Sequence, residues 1–146
     1  MTETPEVGYW HLHVDADGVS RNVRCTISHF ALHALGQGAP PQWLGDTFDS
    51  QATVLFTVQP PGWVADWHEN PKPQWIIPLS GRWFVESMAG ERVEMGAGEI
   101  SFGQDQGCRT IDRKRGHLSG TVGDAPAVLM LVQLPEFTGS GPCSFR

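Results

Sequence analysis

The sequence predicts an all-β fold, and two observations lead to this prediction. Short runs rich in β-branched and aromatic residues recur about every ten residues, which is typical of β-sandwiches and β-barrels. Gly and Pro are also frequent, with 17 and 11 copies among the 146 residues, and they separate most of the runs as turn residues do. A chain of this length can bury one hydrophobic core, so we expect a single domain spanning residues 1–146.

The predicted strands follow one another along the chain and are bounded by turn residues. They span residues 9–14, 19–30, 52–58, 63–68, 74–79, 82–87, 91–95, 99–102, 117–122 and 127–134. The only stretch that could form a helix is 28–37, and its Gly36 makes a helix unfavourable. Residues 136–146 are rich in Gly and Ser, so we expect a flexible tail there.

The charge balance and the cysteines limit the partners and the compartment. The formal net charge of −6 argues against a nucleic-acid surface, because phosphate binding requires a basic face. No apolar run approaches the roughly 20 residues of a membrane span, and the N-terminus lacks the features of a secretory signal. Cys25, Cys108 and Cys143 form no CxxC pair, which predicts free thiols in a reducing compartment. We therefore expect a cytoplasmic protein without nucleic-acid or membrane partners.

Residues 62–81 carry the most specific motif in the chain. They read GWVADWHENPKPQWIIPLSG, or G-x5-H-x-N-x3-Q-x6-G. This pattern resembles the first sequence motif of the cupin superfamily, G-x5-H-x-H-x3-E-x6-G, with the same spacing throughout. Asn70 and Gln74 stand where that motif usually has a second His and a Glu.

Residues 98–121 resemble the second cupin motif less closely. Gly98 opens the match, His117 falls at the His of the motif, and Thr121 falls at its Asn. The usual Pro-x-Gly turn is missing, and a longer loop intervenes. Over about residues 15–135 the chain is similar to a group of small single-domain bacterial cupins, in which a Gln at position 74 is normal.

The resemblance implies a double-stranded β-helix, or jelly roll, in which two antiparallel sheets form a barrel. The motif residues would point into the barrel, so the resemblance places a small-molecule site there. Small cupins are commonly dimers, and we therefore expect a homodimer. The four residues that would converge in the barrel are His68, Asn70, Gln74 and His117.

A divalent transition metal is one candidate occupant of this site. His68, Gln74 and His117 would be its ligands, with Asn70 as a further one, and Zn, Fe, Ni or Mn would suit imidazole donors. Replacement of Glu by Gln removes the negative charge that offsets a dication, so metal affinity should be lower than in a typical cupin. With metal, the chain would be an oxygenase, isomerase or lyase.

Acid–base catalysis without metal uses the same residues. His68 and His117 can exchange protons near neutral pH, and alternation along a strand places Asp66 on the same face as His68. With these three as catalytic residues, proton transfer next to a carbonyl group or a dehydration is expected. A third interpretation is a non-catalytic ligand-binding or regulatory cupin, in which a buried His and two amides form a structural polar network.

Other features bear on the ligand. Four Trp residues cluster in the motif strands, at positions 63, 67, 75 and 83, and any that line the cavity would favour an apolar or aromatic ligand. The basic segment 108–117 could attract an anionic group, although a solvated loop is the simpler interpretation. His11 and His13 share a strand face that we expect to be exposed to solvent, where they would have structural or surface roles.

Overall fold

The computed structural model describes residues 3–139 and 141–146, and all regular elements in this part of the chain are β-strands. The strands are β1 Val7–Val14, β2 Ser20–Ile27, β3 Phe30–His33, β4 Gln42–Gly45, β5 Thr53–Gln59, β6 Val64–His68, β7 Gln74–Ser80, β8 Arg82–Ser87, β9 Arg92–Gly96, β10 Ser101–Gln104, β11 His117–Val122 and β12 Ala127–Gln133. The predicted all-β class is confirmed. Within the described ranges no helix is long and apolar enough to cross a membrane.

The strands form three sheets. One has six strands in the order β2-β1-β10-β7-β12-β5, one has four in the order β6-β11-β8-β9, and β3 pairs with β4 in a small hairpin. All pairings are antiparallel except that of β1 with β10, which is parallel. The stretch 28–37, considered as a possible helix, instead contains β3.

The larger hydrophobic core lies between the six-stranded and the four-stranded sheets. Its buried side chains come from strands of both sheets: Leu12, Ile76, Ala127 and Leu129 from the first, and Trp83, Val85 and Met95 from the second. Burial of aliphatic and aromatic surface of this kind is the main favourable term in folding. The core therefore holds the two sheets face to face.

A second hydrophobic cluster covers the other face of the six-stranded sheet. Its buried members include Tyr9 and Phe102, and Phe137 and Phe145 from the C-terminal segment pack against it. The Tyr9 hydroxyl donates a hydrogen bond to the backbone oxygen of Phe145 over 3.1 Å. Residues 141–146 thus take part in tertiary packing, whereas the sequence led us to expect a flexible tail.

A disulfide joins this C-terminal segment to the sheet. Cys25 on β2 is bonded to Cys143, across 118 positions of sequence, so the prediction of free thiols is wrong for these two residues. Cys108 is free and buried. Because disulfides persist mainly in oxidising compartments, the pairing removes the thiol-based reason for expecting a cytoplasmic location.

His11 and His13 are buried beneath the C-terminal segment, at 0% and 9% exposure, so the prediction of a solvent-exposed face is wrong. The backbone N–H of Cys143 donates to His11 Nδ1 over 2.9 Å, which means that His11 carries its proton on Nε2 when it is neutral. That proton is donated to Gln104 Oε1, also at 2.9 Å. Burial lowers the pKa of His11 to about 4, so the ring is neutral at pH 7.

The disulfide should contribute a large share of the stability. Reduction of the wild-type protein is expected to lower the free energy of unfolding by roughly 2–5 kcal/mol, because it restores the conformational freedom of a long loop in the unfolded chain. Urea denaturation with and without dithiothreitol measures the difference. The double variant Cys25→Ser, Cys143→Ser should show no effect of the reductant. Equal stability of oxidised and reduced wild type would contradict the pairing.

His11 should make the stability fall in mild acid. Its pKa is about 4 in the folded protein and about 6.5 in an unfolded chain, so protonation favours the unfolded state as the pH falls from 6.5 to 4. The expected loss over this window is about 3 kcal/mol, and it is absent above pH 6.5. His11→Gln should flatten the pH dependence of the urea midpoint, while the exposed-site control His33→Gln should leave it unchanged. A slope identical in wild type and His11→Gln would be the contrary result.

Candidate functional site

A cavity of about 280 Å³ opens between the two large sheets. Its volume is just below the usual range for ligand sites, so any ligand would be small. The polar part of its lining includes all four residues that the motifs predict to converge, which are His68, Asn70, Gln74 and His117. Apolar side chains of the core form much of the remaining wall, among them Ile76, Leu129 and Leu131.

The two His residues are neighbours because of strand register. β6 and β11 pair antiparallel, and His68 lies directly opposite His117. The two ring centroids are 4.4 Å apart, with the rings tilted by 51°. The Nδ1 atom of His68 is 2.7 Å from the backbone oxygen of Asp66, and since a carbonyl oxygen only accepts, this nitrogen carries a proton.

Gly116 permits the close approach of these two strands. Its φ of +82° lies in the left-handed region, and a Cβ atom there would be 2.2 Å from the backbone oxygen of His68. Any other residue would push the chain before His117 away from β6. The Gly therefore allows the two strands to pair closely enough for the imidazoles to be neighbours.

Asp105 orients His117. Asp105 follows the end of β10, is fully buried, and has its Oδ2 atom 2.7 Å from His117 Nδ1. Its other oxygen accepts hydrogen bonds from the backbone N–H and the side-chain amide of Asn70, at 2.9 and 2.8 Å. Burial raises the pKa of Asp105, but the hydrogen bond and charge of His117 and the bonds from Asn70 outweigh it and keep the pKa below its ordinary value.

The amides of the first motif continue this network. Gln74 Nε2 donates to Asn70 Oδ1 over 2.6 Å, and Gln133 Nε2 donates to Gln74 Oε1 over 3.0 Å. The three side-chain hydrogen bonds form a row in which every donor is directed toward the carboxylate. Gln133 donates to Gln74, Gln74 donates to Asn70, and Asn70 donates to Asp105. Asn70 and Gln74 are both buried, and each donates to the next acceptor in the row.

Asp66 does not join the site in the way the sequence suggested. Its carboxylate accepts a hydrogen bond from the backbone N–H of Trp67 over 2.8 Å, and the residue is exposed and is not part of the cavity lining. The acidic partner of the imidazoles is instead Asp105, which lies buried behind His117 and which the motifs did not identify. Asp105 lies in a loop, where alternation of side chains gives no signal.

The residues fit a transition metal poorly. In the described parts of the chain no group of three or more His, Cys, Asp or Glu residues could hold a metal ion. The carboxylate nearest the imidazoles, Asp105, is directed to His117 Nδ1 and Asn70. Both amide oxygens of the predicted ligand set accept hydrogen bonds within the network. Metal binding stays a prediction that rests on two imidazoles alone.

The other features considered in the sequence fall outside the polar end of the cavity. Arg115 pairs with Glu69 at the surface, 2.5 Å between Nε and Oε1, and Lys114 lies over the ring of Trp67. None of the Arg and Lys residues of segment 108–117 lines the cavity. Of the four clustered Trp residues, Trp63 and Trp83 line it.

Comparison with known proteins finds no family model and no curated sequence that matches this chain.

Substitution of Gly116 tests how the imidazoles are positioned. Gly116→Ala should lower the free energy of unfolding by about 1–3 kcal/mol more than Gly107→Ala, measured by urea denaturation, because both sites have a positive φ but only Gly116 faces backbone atoms. Gly107 has open space where its Cβ would lie and serves as the matched control. Equal losses in the two variants would show that the strands are not in close contact there.

Proposed function

We propose that this chain is a cupin-type barrel that acts as a small-molecule enzyme, using acid–base catalysis by His117 without a metal. The single observation that carries the proposal is the buried hydrogen bond between Asp105 and His117, 2.7 Å long, at the wall of a ligand-sized cavity. An imidazole held by a carboxylate through one ring nitrogen has the other nitrogen free for proton transfer.

The cupin assignment has support from topology as well as from the motifs. Two large sheets of six and four strands face each other across one core. The motif positions support the assignment too, since His68 and His117 are paired across β6 and β11 and Gln74 begins β7. We therefore infer a double-stranded β-helix from the combination of motif spacing and sheet order.

The chemistry follows from the atoms that have no partner. His117 Nδ1 is engaged with Asp105, and no hydrogen bond involves its Nε2 within the described residues. This atom would take a proton from a bound molecule, for example from a carbon next to a carbonyl group, which leaves an enolate. Return of the proton to another atom gives an isomer, and its delivery to a departing hydroxyl group gives dehydration.

His68 would be the second acid–base group. Its Nδ1 proton is donated to the backbone oxygen of Asp66, so its Nε2 is the ring nitrogen available to a ligand. The ring is more exposed than that of His117 and lies 4.4 Å from it between centroids. The pair can therefore serve as a base and an acid toward one small molecule.

A non-catalytic ligand-binding module is the second candidate function. The chain of amides from Gln133 to Asp105 satisfies its own hydrogen bonds, as expected of a structural polar network.

The homodimer also stays a prediction. The side chains that would suit it are the exposed Val54, Phe56 and Val58 on the edge strand β5.

Deuterium exchange tests the catalytic proposal. Wild-type protein in D₂O, incubated with small carbonyl compounds and followed by proton NMR, should accelerate exchange of a C–H next to the carbonyl. His117→Gln should slow that exchange by about 10²–10⁴-fold, and Asp105→Asn should also slow it. Asp66→Asn is the matched control and should have little effect, because its carboxylate is outside the cavity.

Two outcomes would count against this mechanism. Loss of exchange on treatment of the wild type with a chelator would indicate a metal-dependent site. Binding of ligands without any acceleration of exchange would favour the non-catalytic module.

A further inference from the structure

A segment at the end of the chain, residues 141–146, covers part of the outer face of the six-stranded sheet. It contains no strand, and the disulfide of Cys143 with Cys25 joins it to β2. Beneath it lie Tyr9 and Phe102, which are both 0% exposed. The segment is therefore part of the cover that keeps water from these aromatic side chains.

Few noncovalent contacts hold this segment in place. The backbone N–H of Cys143 donates to His11 Nδ1 over 2.9 Å. The Tyr9 hydroxyl exchanges two hydrogen bonds with the backbone of Phe145, each 3.1 Å long, and the Phe145 ring lies 4.8 Å from that of Trp75 between centroids. Ordering the end of a chain costs backbone entropy at every residue, and three hydrogen bonds with one aromatic side chain offset only part of that cost. The position of the segment thus depends on the disulfide.

The backbone at Cys143 also favours release. Its φ of +62° lies in the left-handed region, which is unfavourable for a residue with a Cβ atom. The covalent bond to Cys25 holds Cys143 in this conformation. Cleavage of the bond therefore removes the link and allows the strained residue to relax.

The two large sheets are held together without this segment. Among the described residues, those at 141–146 belong neither to the core between the sheets nor to any paired strand. They are also absent from the lining of the cavity that contains His117. Departure of the segment would leave the strand pairing, the main core and the cavity in place.

The disulfide is open to attack from one side. Cys25 is 3% exposed, whereas Cys143 is partly exposed, so a small thiol reaches the sulfur of Cys143 first. Its thiolate forms a mixed disulfide with Cys143 and releases Cys25 as a thiolate, which takes up a proton. A second thiol then attacks the mixed disulfide and releases Cys143 as a thiol. Two thiols are oxidised to one disulfide, and the two cysteines are reduced.

We propose that residues 141–146 form a redox-controlled strap. The strap is closed over the aromatic face of the six-stranded sheet while the disulfide of Cys25 with Cys143 is intact. A small thiol reductant releases it, uncovering Tyr9 and Phe102, while the two large sheets stay folded. This inference goes beyond the proposed function of the cavity, and neither depends on the other.

Hydrogen exchange tests the strap. Oxidised wild type is compared by NMR with wild type reduced by dithiothreitol without denaturant, and thiol alkylation verifies the reduction. In the oxidised protein the N–H groups of Cys143 and Phe145 should exchange about tenfold or more slower than in an unfolded chain. After reduction they should exchange at nearly the unfolded rate, whereas N–H groups within β8 and β11 should stay protected by about 10²-fold or more. Reoxidation should restore the first pattern.

Variants identify the bond responsible. The double variant Cys25→Ser, Cys143→Ser should exchange like the reduced wild type, with or without dithiothreitol. Cys108→Ser is the matched control, because Cys108 is free and buried, and it should respond to the reductant as the wild type does. An apolar fluorescent dye such as ANS should bind more strongly to the reduced wild type than to the oxidised form. If the double variant does not fold, the reduced wild type alone decides the matter.

Three results would overturn the proposal. Equal protection of Cys143 and Phe145 before and after reduction would show that the segment stays docked without the bond. Loss of protection throughout β8 and β11 would show that the disulfide supports the whole fold and does not control a local strap. A disulfide that dithiothreitol cleaves only in the presence of denaturant would show that thiols do not reach it in the folded protein.

Discussion

The buried carboxylate of Asp105 is the interaction on which the arrangement of the site depends. It binds the loop after β6 through Asn70, fixes the ring of His117 on β11, and itself follows β10. Strands of both large sheets are thereby connected through a single charge. Removal of one partner of such a buried pair is strongly destabilising, because the remaining charge is left without compensation. The hydrogen bonds of Asp105 thereby hold His117 and Asn70 at one end of the cavity.

The same constraint gives Asn70 and Gln74 a role other than metal binding. In the motif that the sequence resembles, these positions carry a His and a Glu that hold a cation. Here each amide donates one hydrogen bond and accepts another on the way to Asp105. The negative charge that a metal would require is carried by Asp105, which accepts a hydrogen bond from Asn70 and orients His117.

Local patterns predicted ten of the twelve strands, because alternation of side chains and the turn residues between runs are local properties. They missed the short hairpin of β3 and β4. The expectation that His68 and His117 converge came instead from the resemblance to the cupin motifs, because the two residues lie on different strands. Three features depended on contacts between distant residues and were missed: the disulfide of Cys25 with Cys143, the burial of His11 beneath the C-terminal segment, and the partnership of Asp105 with His117. No spacing rule relates these partners, and only the folded chain brings them together.

The protonation of His117 tests the central claim most directly. Long-range ¹H–¹⁵N correlation spectra of the imidazole nitrogens identify which of them carries a proton. We predict a proton on Nδ1, with a signal shifted downfield by its hydrogen bond to the carboxylate, and a change of that signal in Asp105→Asn. A neutral His117 protonated on Nε2, with spectra unaffected by Asp105→Asn, would contradict the role assigned to the buried carboxylate.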